Sequence, residues 1–276
     1  MIQNILVTVA GRGLCEEMLN MLMDIPGFQS ASVTVLHVVS PEISSDAMSD
    51  KLEQGGKILA EAVKSLKVDP SKVNPRLKQG DPKSIVCEVA EEENADLIIM
   101  GSRALGRLQA ILEGSVSQYV FQLASSPMLL VKDDVYVKKI KRVMVAMDAS
   151  DSAKQCLDLA LTMVKDVKGG QLELVRVNPS KPGEKPEENP ILAPAVAEAK
   201  KYGISYRCHL PEGKPGEEIC RLANDLNVDL LMLGSPDRRP NIAKSLVDLD
   251  RLLGGSLSDY VRVYANCPVL LGRTPS

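Results

Sequence analysis

Two glycine-rich stretches in the first half of the chain have the residue types that bind phosphate. Ala10-Gly-Arg-Gly13 follows one apolar run, and a second stretch runs from Gly101 to Arg107 and on to Gly114-Ser115. Glycines let a backbone come close to a phosphate, and the free N–H groups at a helix start favour negative charge. Forked contacts to phosphate oxygens could come from Arg12, Arg103 and Arg107. These residues together predict an anion-binding site.

The serines in these stretches also have a simpler explanation. Ser115-x-x-Gln118 and Ser256-x-x-Asp259 both fit a helix capping pattern. The glycines are equally explained by a tight turn. Phosphate binding and capping therefore both stay open on the spacing alone.

Other chemistry has little support in the sequence. The six cysteines stand far apart without a CxxC pair, and with only two histidines they predict reduced, buried thiols and not a zinc site. His37 and His209 are best interpreted as structural, because a histidine base needs an orienting partner. No lysine follows a glycine loop in the Walker pattern, so a P-loop phosphotransferase is not expected.

Charge and hydropathy exclude two further classes. The net charge is −3, and Lys and Arg are spread along the chain, which gives no support for a nucleic-acid groove. No apolar run approaches the ~20 residues of a membrane helix. Met1 leads almost directly into an apolar run without a basic segment, so we expect no signal peptide and a cytoplasmic location.

Short apolar runs alternate with helical patterns in both halves, which is typical of βαβ units with a parallel sheet. In the first half, strands are predicted near 4–10, 32–39, 74–79, 96–100 and 127–132, and helices near 14–24, 51–66, 82–93 and 115–125. In the second half, strands are predicted near 142–147, 171–177, 204–210, 229–233 and 268–272. The loops after the first and fourth strands are where such a sheet binds ligands.

The chain is an internal duplication. The segment 114–131 matches 255–272 at nine of eighteen positions with an offset of 141, whereas 95–102 matches 228–235 with an offset of 133. The register therefore changes by eight residues, which predicts an eight-residue insertion between Gly234 and Gly255. We expect two domains, residues 1–132 and residues 139–273.

Three segments of the first copy carry a resemblance to a known family. Gly101-Ser-Arg, Gly114-Ser-Val-Ser-x-Tyr-Val and Ser126-Pro-Met-Leu-Leu-Val131 resemble the signature of the universal stress protein family, whose nucleotide-binding members carry G-x2-G-x9-G-[ST]. The similarity extends over both copies. It implies two tandem α/β domains of the Rossmann-like, adenine-nucleotide α-hydrolase-like class, each a five-stranded parallel sheet of order 3-2-1-4-5 with helices on both faces. It also implies that the two copies pair through their last strands.

The resemblance further implies a stress-response role, with ATP, ADP or AMP bound in some members and none in others, and Mg²⁺ as a candidate accompanying ion. Carried over to the first copy, the binding residues would be Val38 at the adenine, together with Gly101, Ser102, Arg103, Gly106, Gly114, Ser115 and Val116. Two positions depart from the family pattern. Ala104 replaces the middle glycine, with Gly106 close by, and Ala10 replaces an acidic residue that touches the nucleoside.

The second copy has the opposite departures. It keeps the acidic residue as Asp148, but two prolines, an aspartate and the insertion follow Gly234, and proline removes an N–H donor. Its candidate binding residues are Asp148, Val177, Gly234, Gly255 and Ser256. Asp148 is also explained as a turn or cap residue before a helix.

Three functions remain in competition at this point. The first is a regulatory protein that binds an adenine nucleotide in its first domain. The second is an interaction module in which both sites are vestigial. The third is an enzyme, at most a slow ATPase, for which we identify no catalytic residue and no metal ligand. A further homodimer is left open.

Overall fold

The computed structural model describes residues 2–102, 116–133, 135–136, 138–179, 181, 183–235 and 256–273. The chain divides into two compact units, Met1–Asp133 and Asp134–Ser276, which we call the first and second units. Each unit is an α/β structure with one parallel run of strands, which confirms the predicted fold class.

The first unit contains five strands and four helices among its described residues. The strands are β1 (Asn4–Thr8), β2 (Ser32–Val39), β3 (Val73–Gln79), β4 (Leu97–Ser102) and β5 (Met128–Lys132). The helices are α1 (Leu14–Met23), α2 (Ser45–Ser65), α3 (Pro82–Glu92) and α4 (Val116–Leu123), with 3-10 turns at Pro26–Phe28 and Pro70–Lys72. The strand order is β3-β2-β1-β4-β5 with all neighbours parallel, which agrees with the order that the resemblance implies.

The second unit repeats this arrangement. Its strands are β6 (Arg142–Ala146), β7 (Gln171–Val175), β8 (Ser205–His209), β9 (Leu230–Gly234) and β10 (Val269–Gly272). Its helices are α5 (Asp151–Val164), α6 (Leu192–Lys201), α7 (Pro215–Asp225) and α8 (Leu257–Tyr264), with a 3-10 turn at Pro186–Glu188. The order β8-β7-β6-β9-β10 is the same as that of the first unit, counted within the unit.

The predicted start of α2 was wrong by six residues. The helix begins at Ser45, after Ser44 in extended conformation, and not near residue 51. The buried residues of this helix are Gly55, Leu59 and Ala62, and residues 45–50 contribute none. An apolar pattern reports only the part of a helix that faces the core, so the exposed first turn gave no signal.

The central strands form the core of each unit. Leu6, Val7, Ile98 and Ile99 are almost completely buried in the first unit, since helices cover both faces of the sheet. This explains why β1 and β4 read as continuous apolar runs and not as alternating ones. The second unit has equivalent strands in β6 and β9, where Val143, Met144, Leu230 and Leu231 are fully buried.

The same aspartate anchors the first strand in both units. Asp96 Oδ2 accepts hydrogen bonds from the N–H groups of Gln3 at 2.7 Å and Asn4 at 3.0 Å. In the second unit, Asp229 Oδ2 accepts from Lys141 at 2.9 Å and Arg142 at 2.7 Å. The aspartate precedes the fourth strand of its unit, so this contact aligns the first and fourth strands at their amino ends.

Candidate functional site

A cleft lies at the carboxyl ends of the strands of the first unit. It is bounded by the loop after β1, the end of β2, the end of β4 and the start of α4, and its volume is about 290 Å³. β1 and β4 are neighbours, and the strand order reverses between them. This is the position at which open parallel sheets bind ligands.

The cleft brings together four residues that the sequence placed in a binding site, namely Ala10, Val38, Gly101 and Val116. They come from four separate elements. Ser102 is buried at the end of β4, and its carbonyl oxygen accepts a hydrogen bond from Asp133 N at 3.3 Å. Four further predicted residues, Arg103, Gly106, Gly114 and Ser115, lie outside the described residues.

The inner walls of the cleft are apolar. Val9, Leu36, Val86 and Met100 line it and are almost fully buried in the core. Binding sites for small organic ligands are typically apolar with a few polar groups that fix orientation. The walls therefore suit a flat, apolar ring such as a nucleobase.

His37 contributes a polar group with a defined tautomer. Its Nδ1 lies 2.8 Å from the carbonyl oxygen of Val9. A carbonyl only accepts, so Nδ1 donates and Nε2 of the neutral ring is an acceptor. This main-chain partner holds the ring at the end of β2, as expected for a strand-end histidine, while the residue also lines the cleft.

An ion pair lies at the edge of the cleft. Arg12, in the loop after β1, donates to the carboxylate of Asp133, which follows β5, and both residues line the cleft. The Arg12 side chain is half exposed. A surface ion pair of this kind contributes little to stability, so the guanidinium can exchange partners at low cost.

The sequence interpretation missed Glu16. This residue is in the first turn of α1, lines the cleft and is only 4% exposed. Burial raises the pKa of its carboxyl, while a hydrogen bond from its own backbone N–H lowers it to a smaller extent. A signal was available: Glu16 stands three residues before the buried Leu19, on the face that the helical period assigns to the core.

The neighbouring thiol has no catalytic character. Cys15 lines the same cleft and is buried. Burial, and to a smaller extent the charge of Glu16, raises the pKa of the Cys15 thiol to about 12. The nucleophilic form of cysteine is the thiolate, so Cys15 is inert near neutral pH.

Asp148, the acidic residue retained in the second unit, is engaged in a turn. Asp148 Oδ1 accepts hydrogen bonds from the Ser150 backbone N–H at 2.8 Å and from the Ser150 hydroxyl. Ser150 in turn caps α5, since its Oγ accepts from Ala153 N at 3.2 Å. Asp148 therefore organises the loop before the helix, which agrees with the simpler of its two interpretations.

The remaining candidates of the second unit also have structural partners. Ser256 caps α8, with its Oγ accepting from Asp259 N at 3.2 Å, and Val177 is buried. At Gly234 an added Cβ would lie 2.5 Å from Ser152 Oγ and 2.6 Å from Ala153 N. The start of α5 therefore packs directly against the end of β9. Gly255 lies outside the described residues.

The equivalent position in the first unit is more open. Among the described residues, a Cβ at Gly101 would meet only Cys15 Sγ, at 3.7 Å. The helix start that fills this space in the second unit thus stands back from the sheet in the first, where the cleft is found. Equivalent glycines therefore have different surroundings in the two units.

Two further features are absent from the described residues. Within those residues, no group of three or more His, Cys, Asp and Glu side chains is placed to hold a metal ion. None of the helices in the described part of the chain combines the length and apolar character needed to cross a membrane.

The comparisons with known proteins all point to the same family. The model of the universal stress protein family matches residues 1–132 and again 139–273. A universal stress protein of Thermus aquaticus is 34% identical over 109 residues, which cover 37% of this chain and 78% of that protein. A putative universal stress protein of Staphylococcus aureus is 28% identical over 141 residues, covering 48% of this chain and 85% of that protein. The crystal structure of a universal stress protein from Archaeoglobus fulgidus covers 99% of this chain and 97% of its own, with a TM-score of 0.78 at 24% identity.

Proposed function

The chain belongs to the universal stress protein family, with two family domains in tandem, and we propose that its first unit binds an adenine nucleotide as a regulatory ligand. The observation that carries this proposal is the cleft at the end of β1, β2 and β4. Ala10, Val38, Gly101 and Val116 come from distant parts of the chain and line this one cleft. The resemblance assigns Val38, Gly101 and Val116 to nucleotide binding, and Ala10 stands where the family has the acidic residue that touches the nucleoside.

The lining residues fit the parts of a nucleotide. The apolar walls suit the base, beside Val38, where the resemblance places the adenine. α4 begins at Val116, and the N–H groups at a helix start favour a phosphate. Arg12 would leave Asp133 for a phosphate oxygen, an exchange between two anionic partners of the same guanidinium.

We propose no equivalent site in the second unit. Asp148 is held by Ser150, and the end of β9 is packed against α5 at Gly234. Both observations favour a structural role for this unit. Pairing of the two units within the chain, a further homodimer and an accompanying Mg²⁺ stay predictions.

We also propose no enzymatic reaction. Among the described residues of the cleft, His37 is held by a main-chain carbonyl and the Cys15 thiol has a pKa of about 12. Neither is arranged as a nucleophile with an adjacent base. A slow ATPase stays an open alternative, and steady-state phosphate release at the level of the buffer blank would exclude it.

Thermal unfolding with nucleotide tests the proposal. ATP, ADP or AMP at millimolar concentration should raise the melting temperature, since a ligand at a hundred times its Kd stabilises the folded state by about 2.7 kcal/mol. Gly101→Val should abolish the shift, because the branched side chain would enter the cleft beside Cys15.

The matched control is Gly56→Val in α2, where an added Cβ meets no atom of a described residue within 4 Å. This variant should keep the full nucleotide shift. An unchanged melting temperature of the wild-type protein with all three nucleotides would contradict the proposal and favour the interaction module. Nucleotide released from freshly purified protein and identified by mass spectrometry would count against that alternative.

A further inference from the structure

Glu16 is the polar side chain of the cleft that the fold itself does not explain. The other polar groups have partners: Thr8 Oγ1 lies 3.5 Å from Ile99 O, His37 binds Val9 O, and Arg12 binds Asp133. In the part of the chain that the structure describes, Glu16 has only its own backbone N–H as a hydrogen-bond donor. A carboxylate has room for about four hydrogen bonds, so most of its capacity is unused.

Burying a carboxylate in this way is costly. Glu16 is 4% exposed and lies among Cys15, Met18 and Leu19, which are also buried. A desolvated carboxyl without donors or a counter-charge destabilises the folded state. At the equivalent position of α5 the second unit has Lys154, which is exposed, so burial of a charged group at this position is particular to the first unit. A hydrogen-bond donor from a ligand would therefore offset part of the cost of burying Glu16.

The chemical class of the ligand group that would bind Glu16 can be inferred by elimination. A metal ion would need several ligands, and no group of three or more His, Cys, Asp and Glu side chains is found among the described residues. A phosphate would be repelled by the carboxylate. The remaining choice within a nucleotide is a neutral donor, namely a sugar hydroxyl or the exocyclic amine of the base.

A sugar hydroxyl fits the position of Glu16 better than the exocyclic amine of the base does. The resemblance places the base beside Val38, on β2, whereas Glu16 is on α1, the helix that follows the loop of Ala10 and Arg12. Ala10 has no side-chain acceptor of its own. Acidic side chains at nucleotide sites commonly bind ribose hydroxyls.

We propose that the Glu16 carboxylate accepts a hydrogen bond from a ribose hydroxyl and selects ribonucleotides over deoxyribonucleotides. This inference rests on the proposed nucleotide site and adds its sugar specificity. The Glu16 carboxylate would also orient the ligand, because its repulsion of the phosphates directs them toward Arg12 and the start of α4.

Titration calorimetry with ATP, 2′-deoxyATP and 3′-deoxyATP tests this inference. The wild-type protein should bind at least one deoxy analogue about tenfold more weakly than ATP, the loss expected for one hydrogen bond to a charged group. In Glu16→Ala, ATP should bind as weakly as that analogue, so the ratio falls to about one. Glu16→Gln, which keeps an acceptor oxygen, should give an intermediate ratio.

Glu17→Ala is the matched control, since Glu17 is in the same turn of α1 and exposed. It should leave the ratio unchanged. Equal binding of ATP and both deoxy analogues by the wild type would overturn the sugar specificity and leave the nucleotide site standing, as would an unaltered ratio in Glu16→Ala. No binding of ATP to the wild type would overturn the site itself and this inference with it.

Discussion

At the scale of single residues, the same motif position performs different tasks in the two units. Gly101 is the penultimate residue of β4 and Gly234 is the last residue of β9, and both stand before a serine in the repeated sequence. Gly234 is required by packing, since Ser152 and Ala153 come too close for a side chain. Gly101 has space beside it and opens into the cleft.

This difference predicts unequal effects of alanine at the two glycines. Gly234→Ala should lower the free energy of unfolding by about 1–3 kcal/mol, the usual cost of forcing an extra methyl group into a packed site. Gly101→Ala should change it by less than about 0.5 kcal/mol, because the Cβ makes an ordinary contact with Cys15. Urea denaturation of the two variants gives the comparison. Equal losses would show that the helix start stands equally close in both units.

At the scale of elements, the repeated aspartate explains part of the duplication. Asp96 and Asp229 open the blocks that match at the offset of 133 residues, and each accepts two N–H groups at the start of the first strand of its unit. The contact joins neighbouring strands that are distant in sequence. Its repetition indicates a structural role, separate from the cleft at the opposite end of the strands.

Removal of this anchor should therefore destabilise without affecting ligand binding. Asp96→Ala and Asp229→Ala should each cost about 1–3 kcal/mol, because two backbone donors lose a charged acceptor. Asp96→Asn keeps one acceptor oxygen and should cost less. The exposed Asp166 provides a control, since Asp166→Ala removes a carboxylate with little expected effect.

Urea denaturation followed by circular dichroism measures these losses, and the nucleotide-induced shift of the melting temperature should persist in Asp96→Ala. A loss of the shift with unchanged stability would contradict the separation of the anchor from the cleft.

At the scale of the whole molecule, two similar units carry one proposed site. The sheets have the same strand order, so the difference comes from local features: the loop before the first helix, the closeness of that helix to the fourth strand, and Glu16. Under the proposed function, the second unit is a scaffold that binds no nucleotide. We expect nucleotide to bind to, and to stabilise, the first unit only.

Native mass spectrometry of the full chain tests this asymmetry. With excess ATP, we expect one nucleotide per chain, and none in Gly101→Val. Hydrogen exchange should show nucleotide-dependent protection in peptides that contain residues 8–16 and 97–102, and little change in residues 142–153. Two nucleotides per chain, or equal protection in both halves, would contradict a single site.

Much of the fold and part of the site could be predicted from the sequence. The strand positions, the duplication and the family follow from local apolar runs and from the repeated segments such as 114–131 and 255–272. The four positions Ala10, Val38, Gly101 and Val116, which we predict from the sequence to lie at a nucleotide site, line one cleft. These features are encoded by neighbouring residues, which is why they can be read without coordinates.

The sequence by itself determined the two-unit α/β architecture, its family and the end of the sheet at which we propose a site. Only the tertiary structure decided that Glu16 is buried in the cleft, that Arg12 binds Asp133 and that α5 leaves no space at Gly234. Burial and close approach depend on how a helix packs against a strand that lies far away in the chain. No local pattern encodes the distance between the first helix and the fourth strand of a unit. The asymmetry between the units therefore appears only in the packing of α1 and α5 on their sheets.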